Sequence, residues 1–244
     1  PLKIMELLPN FFLVQEAGFH TTRVMKIEWY LSSLLIVLFI LFPLLLHFGK
    51  TFSRLVCPAM SLLLLGYLSH ATNKLGGTSD FVFGGILAKT LVRASAEVMF
   101  GIFLYDVSEH LRRQTFSKRK KLLLTVAEGG CYLLPLLYST SDYPMWLDFY
   151  AFYFIAFGVC ISFSEQSYFA GKCNHPLVYF LGSTALPLYL CQKCGMYLAE
   201  GYFADTRLRT LVGCISVITV LIAAVVMPLG KRIQKQLEIQ SCKD

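Results

Sequence analysis

The chain has 244 residues, of which 56% are hydrophobic and only 15% charged. A water-soluble domain carries about 25% charged residues, so the composition excludes an ordinary soluble globule and makes the lipid bilayer the first partner. The net charge of +7 is spread through short segments beside apolar runs rather than through a basic soluble region with interleaved aromatics, which excludes nucleic acid.

In chain order, residues 1–28 are mixed. Residues 7–14 are apolar but too short to span a membrane, and residues 15–28 are polar. The chain opens Pro1-Leu2-Lys3 without the basic, apolar and small-residue regions of a signal peptide. This opening reads as the middle of a longer protein, so the chain is expected to be a C-terminal fragment. Seven apolar runs follow, over residues 29–48, 55–72, 83–105, 122–138, 147–164, 176–198 and 209–230. Each approaches the length of about 20 residues that crosses the hydrocarbon core as a helix. The runs are continuous rather than alternating and exceed a barrel strand, so the expected fold class is all-α, a polytopic membrane helix bundle in one domain. Two runs are interrupted, one by Pro58 and the other by Glu128, Gly129 and Gly130.

Lys and Arg in short loops set the orientation. Lys50 and Arg54 follow the first run, Arg112, Arg113 and residues 118–121 follow the third, and Lys231, Arg232 and Lys235 follow the last. The opposite loops are neutral or acidic: Lys74 with Asp80, then Asp142 with Asp148, then Glu200 and Asp205 against Arg207 and Arg209. The start is therefore expected outside and the C-terminus in the cytoplasm, in a cell membrane crossed several times.

Ionisable residues inside these runs are the candidate site residues, because a charge costs roughly 2.5–3.5 kcal/mol at the bilayer centre and such groups face the interior. Lys89, Arg93 and Glu97 stand four apart, one above another on a helix. Glu128 and Lys193 complete the set. Of the eight cysteines, six lie within predicted helices and act as small apolar groups. Cys191-x-x-Cys194 has no second pair at ligand spacing. No metal site is expected.

Three stretches carry a resemblance. The string Trp29-Tyr30-Leu31-Ser32-Ser33-Leu34-Leu35-Ile36, followed by Phe42-Pro43-Leu44-Leu45, gives an aromatic interface anchor at a helix start. It also resembles the "WYLSALLI…YPLL" segment of bacterial acyltransferase 3 proteins. Residues 91–101 are similar to that family's "lRalaei.lG" helix, and residues 180–190 to its "fLGkiSfplYL" helix. The resemblance implies a membrane enzyme that moves an acyl group, commonly acetyl, from a cytoplasmic donor such as acetyl-CoA or another acyl-CoA. The acceptor is a cell-envelope carbohydrate or lipid-linked molecule, and no cofactor stays bound. Family members have about ten helices with both ends in the cytoplasm, so removing three leaves seven and an outside start. The family's histidine and companion arginines lie in its first helices, expected upstream of Pro1. The catalytic residue is therefore unassigned, and none of His20, His47, His70, His110 and His175 replaces it. The 244-residue piece alone is expected to be inactive.

In this reading Arg93 faces a polar cavity and holds donor or acceptor, Glu97 orients it, and Lys89 serves the acceptor side. The competing reading is an ion-pair ladder that only fixes helix packing. Glu128 and Lys193 either line the same cavity or are packed, and the run from Arg112 to Lys121 either draws CoA phosphates or sets topology. The rival functions are a transporter or flippase, whose pathways also use charged and interrupted helices, and the membrane module of a racemase-type resistance protein.

Overall fold

A computed structural model describes residues 12–14, 16, 29–75, 81–139 and 147–173, with separate positions between 175 and 228. The chain divides into two compact units, Pro1–Cys173 and Asn174–Asp244.

In the first unit, α1 (Trp29–Thr51) is an apolar helix kinked at Gly49, whose φ of 54° and ψ of −132° depart from the helical path. Glycine reaches positive φ without the steric cost of a Cβ. A π-helical turn, Phe52–Val56, leads directly into α2 (Cys57–Thr72). Lys50 and Arg54 were expected in a loop, yet both are helical. Pro58 stands in the first turn of α2, directly after the π-helical turn that carries the chain into it. Asn73, at φ 50°, closes α2 in the left-handed region and donates its N–H to Ser69 O at 3.0 Å.

Trp29–Thr72 is 44 residues of helix, about 66 Å if straight at ~1.5 Å per residue and twice a hydrocarbon core of about 30 Å. It is not straight. Arg93 touches both the Trp29 ring and Leu75 O, so the run folds back on itself as a two-legged hairpin. Both legs pack on α3 (Lys89–Arg112). Val37 and Leu41 of α1 meet Ala94 and Val98, while Leu65 and Leu68 of α2 meet Val92 and Ala96.

A small antiparallel ribbon precedes α3. Strand β1 (Phe81–Val82) pairs with β2 (Leu87–Ala88), Phe81 opposite Ala88. Gly84 and Gly85 take φ of 70° and 90° in its turn, and Phe83 stacks on Tyr67 at 4.2 Å. The third span, expected over residues 83–105, is corrected accordingly: its first residues form this ribbon, and the helix runs from Lys89 to Arg112. Lys89, Arg93 and Glu97 thus occupy the first turns of α3 rather than its middle.

Next come α4 (Lys118–Ser139), α5 (Leu147–Phe163) and the short α6 (Tyr168–Cys173). Phe100 of α3 meets Tyr153 and Phe157 of α5 edge-on, at 5.1 and 5.7 Å between centroids. Gly158 of α5 lies against α4 so closely that a Cβ would approach Cys131 Cβ and Tyr132 Cζ to 3.1 Å. Gly158→Val is expected to force these helices apart and cost roughly 1–3 kcal/mol, the usual penalty of overpacking. Thermal unfolding in detergent measures this, and an unchanged midpoint would contradict the close contact.

Seven spans were expected. Among the described residues, two helices are long and apolar enough to cross a membrane, Trp29–Thr72 and Lys118–Tyr138, and Leu147–Phe163 is apolar but shorter. The runs over 176–198 and 209–230 fall largely outside the described residues.

Candidate functional site

The start of α3 gathers polar groups from three segments. Arg93 Nε donates to Glu97 Oε1 at 2.7 Å, its Nη1 donates to Leu75 O at 3.2 Å, and its guanidinium lies 5.4 Å from the centre of the Trp29 ring. One side chain therefore ties the beginning of α1, the segment after α2 and α3 itself. The planar fork of Arg allows this, and a Lys cannot reproduce it. The Arg93 and Glu97 side chains keep 25% and 14% of their surface accessible, so the pair remains open to a ligand.

Lys89, one turn earlier, has no accessible surface and donates from Nζ to Lys74 O at 2.8 Å. Beside it Thr90 Oγ1 donates to Glu16 Oε2 at 2.5 Å, and the Glu16 N–H donates to Ser32 Oγ at 3.2 Å. Glu16 is as buried as Leu65 of the core, at 1% exposure. Sequence reasoning passed over Glu16, Ser32 and Thr90. The available signal was the pair of serines in an apolar helix start and a threonine directly after Lys89.

Glu97 also lines a cavity of about 260 Å³ between α3 and α5, whose walls include Phe100, Leu104, Phe152 and Ala156. A larger cavity of about 580 Å³ lies between the end of α1 and α3, bordered by Lys50, Ser53 and Asp106. Asp106 Oδ2 accepts from Ser53 Oγ at 2.5 Å and stands 3.5 Å from Arg54 Nε. Asp106 lies one residue past the end of the expected third span, which is why it went unnoticed. Arg54 is 59% exposed, so its ion pair contributes little. The Ser53 hydrogen bond carries the contact. Asp106→Ala is expected to destabilise by about 1–2 kcal/mol, and Asp106→Asn, which keeps an acceptor, by less than half of that. Unfolding midpoints compare the two, and equal losses would assign the contact to charge instead.

Glu128 is enclosed between α4 and α5, at 3% exposure. Its Oε1 accepts from Ser162 Oγ, which is also 3.0 Å from the Tyr132 hydroxyl. Its Oε2 has no hydrogen-bond partner among the described residues. Glu128 thus belongs to the α4–α5 seam, whereas Arg93 and Glu97 belong to α3 and the hairpin. Lys193 lies outside the described residues.

This arrangement offers a partly open guanidinium–carboxylate pair beside an apolar cavity, suited to holding a polar carbonyl or hydroxyl group at the end of an apolar chain. The family model of an acyltransferase domain matches residues 14–227, a stretch that includes Glu16 and all of the helices above. The chain belongs to the acyltransferase 3 family. Neither a curated protein nor a solved structure matches it.

Proposed function

We propose that the protein works in the bilayer as an O-acyltransferase. It takes an acyl group, acetyl or longer, from a cytoplasmic acyl-CoA and transfers it to a hydroxyl of a cell-envelope carbohydrate or lipid-linked acceptor. Placement in the membrane is supported by the large apolar side chains that face outward from α1, α2 and α4, among them Phe39, Leu46, Leu63 and Leu123. The hairpin supplies two legs of a seven-span topology, with the start outside and the C-terminus in the cytoplasm.

The carrying observation is the Arg93–Glu97 pair, held from three sides yet accessible beside a cavity. In the reaction the acceptor oxygen bonds to the thioester carbonyl carbon and the carbon–sulfur bond breaks. CoA leaves as the thiolate and takes up the proton that the acceptor hydroxyl loses. Arg93 would stabilise negative charge developing on the carbonyl oxygen, a role worth a large part of such a barrier in a water-poor site. Glu97 keeps the guanidinium aimed.

The test places the full-length protein in sealed vesicles with acyl-labelled CoA on one side and candidate acceptors on the other. Label bonded to the acceptor supports acyl transfer. Accumulation of chemically unchanged substrate across the membrane would instead establish the transporter.

A further inference from the structure

Gly101 of α3 lines both the α1-side cavity of about 580 Å³ and the α5-side cavity of about 260 Å³, and so does Tyr105. Both residues are exposed. They form a strip between the α3 face that packs on α1, with Ala94, Val98 and Ile102, and the face that packs on α5, with Phe100 and Leu104. A Cβ built on Gly101 meets nothing within 4 Å. The strip is therefore a shallow, unfilled channel down the side of the bundle.

Its two ends differ in chemistry. Toward the end of α1 stands Lys50, which lines the larger cavity, and next to it the exposed Arg54, which borders the adjoining cavity with Asp106 and His110. Asp106, the acid at that end, is engaged by Ser53 and Arg54, while the Lys50 ammonium has no carboxylate partner among the described residues. Arg112 and Arg113 follow at the same end of α3 but are paired with Glu109, Arg112 at 2.7 Å and Arg113 at 3.7 Å, so among the described residues Lys50 is the unpaired cation left to a ligand there. Toward Glu97 the walls are apolar, with Leu45, Val98 and Phe100. From Asp106 back to Glu97 the helix rises about 14 Å at ~1.5 Å per residue. A cationic mouth at the interface and an apolar channel of that length fit one molecule with a phosphate head and a long acyl chain.

We propose that this strip binds an anionic phospholipid, with its phosphate at Lys50 and Arg54 and one acyl chain lying over Gly101. Basic pockets between membrane helices on the cytoplasmic side recognise anionic headgroups in this way. The site rests on the membrane placement above and not on acyl transfer.

Native mass spectrometry of the full-length protein, released from nanodiscs of phosphatidylcholine with a minority of phosphatidylglycerol, tests it. The wild type is expected to retain phosphatidylglycerol in preference to phosphatidylcholine. Lys50→Gln should lower that preference about fivefold, the contribution of one surface cation near an anionic headgroup. Gly101→Leu starts from a Cβ position with no protein atom within 4 Å, extends into the channel and should reduce retention of either lipid. Equal retention of both lipids by the wild type, or a preference untouched by Lys50→Gln, would overturn the assignment. Displacement of phosphatidylglycerol by stoichiometric acyl-CoA would also overturn it, because the phosphate site would then belong to the acyl donor. Loss of acyl transfer in a protein that still retains phosphatidylglycerol would count against the enzyme reading alone.

Discussion

Arg93→Ala is expected to lower acyl transfer by the full-length protein at least 100-fold, the scale seen when one donor to a developing oxyanion is removed. The change takes away a 2.7 Å contact to Glu97, a 3.2 Å hydrogen bond to Leu75 O and the stack on Trp29. It also leaves the Glu97 carboxylate, only 14% exposed, without its counter-charge. A stability loss of about 1.5–3 kcal/mol is therefore expected as well, typical of hydrogen bonds to a charged group. Arg93→Lys separates the two effects. It keeps the charge but cannot hold Leu75 O and Glu97 together, so the variant should fold nearly as well and still transfer poorly. Transfer rates per folded molecule, with folding judged by size-exclusion in detergent, give the comparison. Full activity in Arg93→Lys would show that charge alone is needed and that the fork is not.

Lys89→Ala is expected to produce the largest loss of stability and no specific loss of chemistry. Lys89 is the first residue of α3, has no accessible surface, and places its ammonium on Lys74 O. The positive end of the helix dipole disfavours a cation there, so polar contacts, the Lys74 carbonyl among them, must hold it. Alanine leaves a void where the fully buried side chain stood and removes one of two donors to Lys74 O, which also accepts from Thr72 Oγ1 at 2.9 Å; the void dominates the expected cost of about 2–5 kcal/mol. Lys89→Met fills most of the space but donates nothing, and should cost about 1–3 kcal/mol. Unfolding midpoints order the three proteins as wild type, Met, then Ala. A Met variant as stable as the wild type would show that the hydrogen bond contributes nothing. A selective fall in activity of the folded Met variant would return Lys89 to the substrate path.

Much of the helical framework was legible because continuous apolar runs have few alternatives. The run over 147–164 appears as Leu147–Phe163, and that over 122–138 lies inside Lys118–Ser139. The four-residue spacing of Arg93 and Glu97 announced their ion pair directly. The start of α3 was not legible, because Phe83 and the two glycines turn a ribbon that apolar content alone does not distinguish from helix. The bond between Glu16 and Thr90 joins positions 74 residues apart, and no local pattern encodes such a pairing. Glu128 was legible as an ionisable residue within an apolar run, but Ser162 and Tyr132, its neighbours across the α4–α5 seam, were not. These polar contacts depend on how helices pack, which hydrophobic length does not specify.

The role proposed for the Arg93–Glu97 pair is acyl transfer in the membrane. Its most direct measurement is the mass of envelope acceptors in cells making the full-length protein, either wild type or Arg93→Ala at matched membrane levels. An acyl ester on the acceptor is expected with the wild type, and its near absence with the variant. The same ester at equal abundance with both proteins would contradict it.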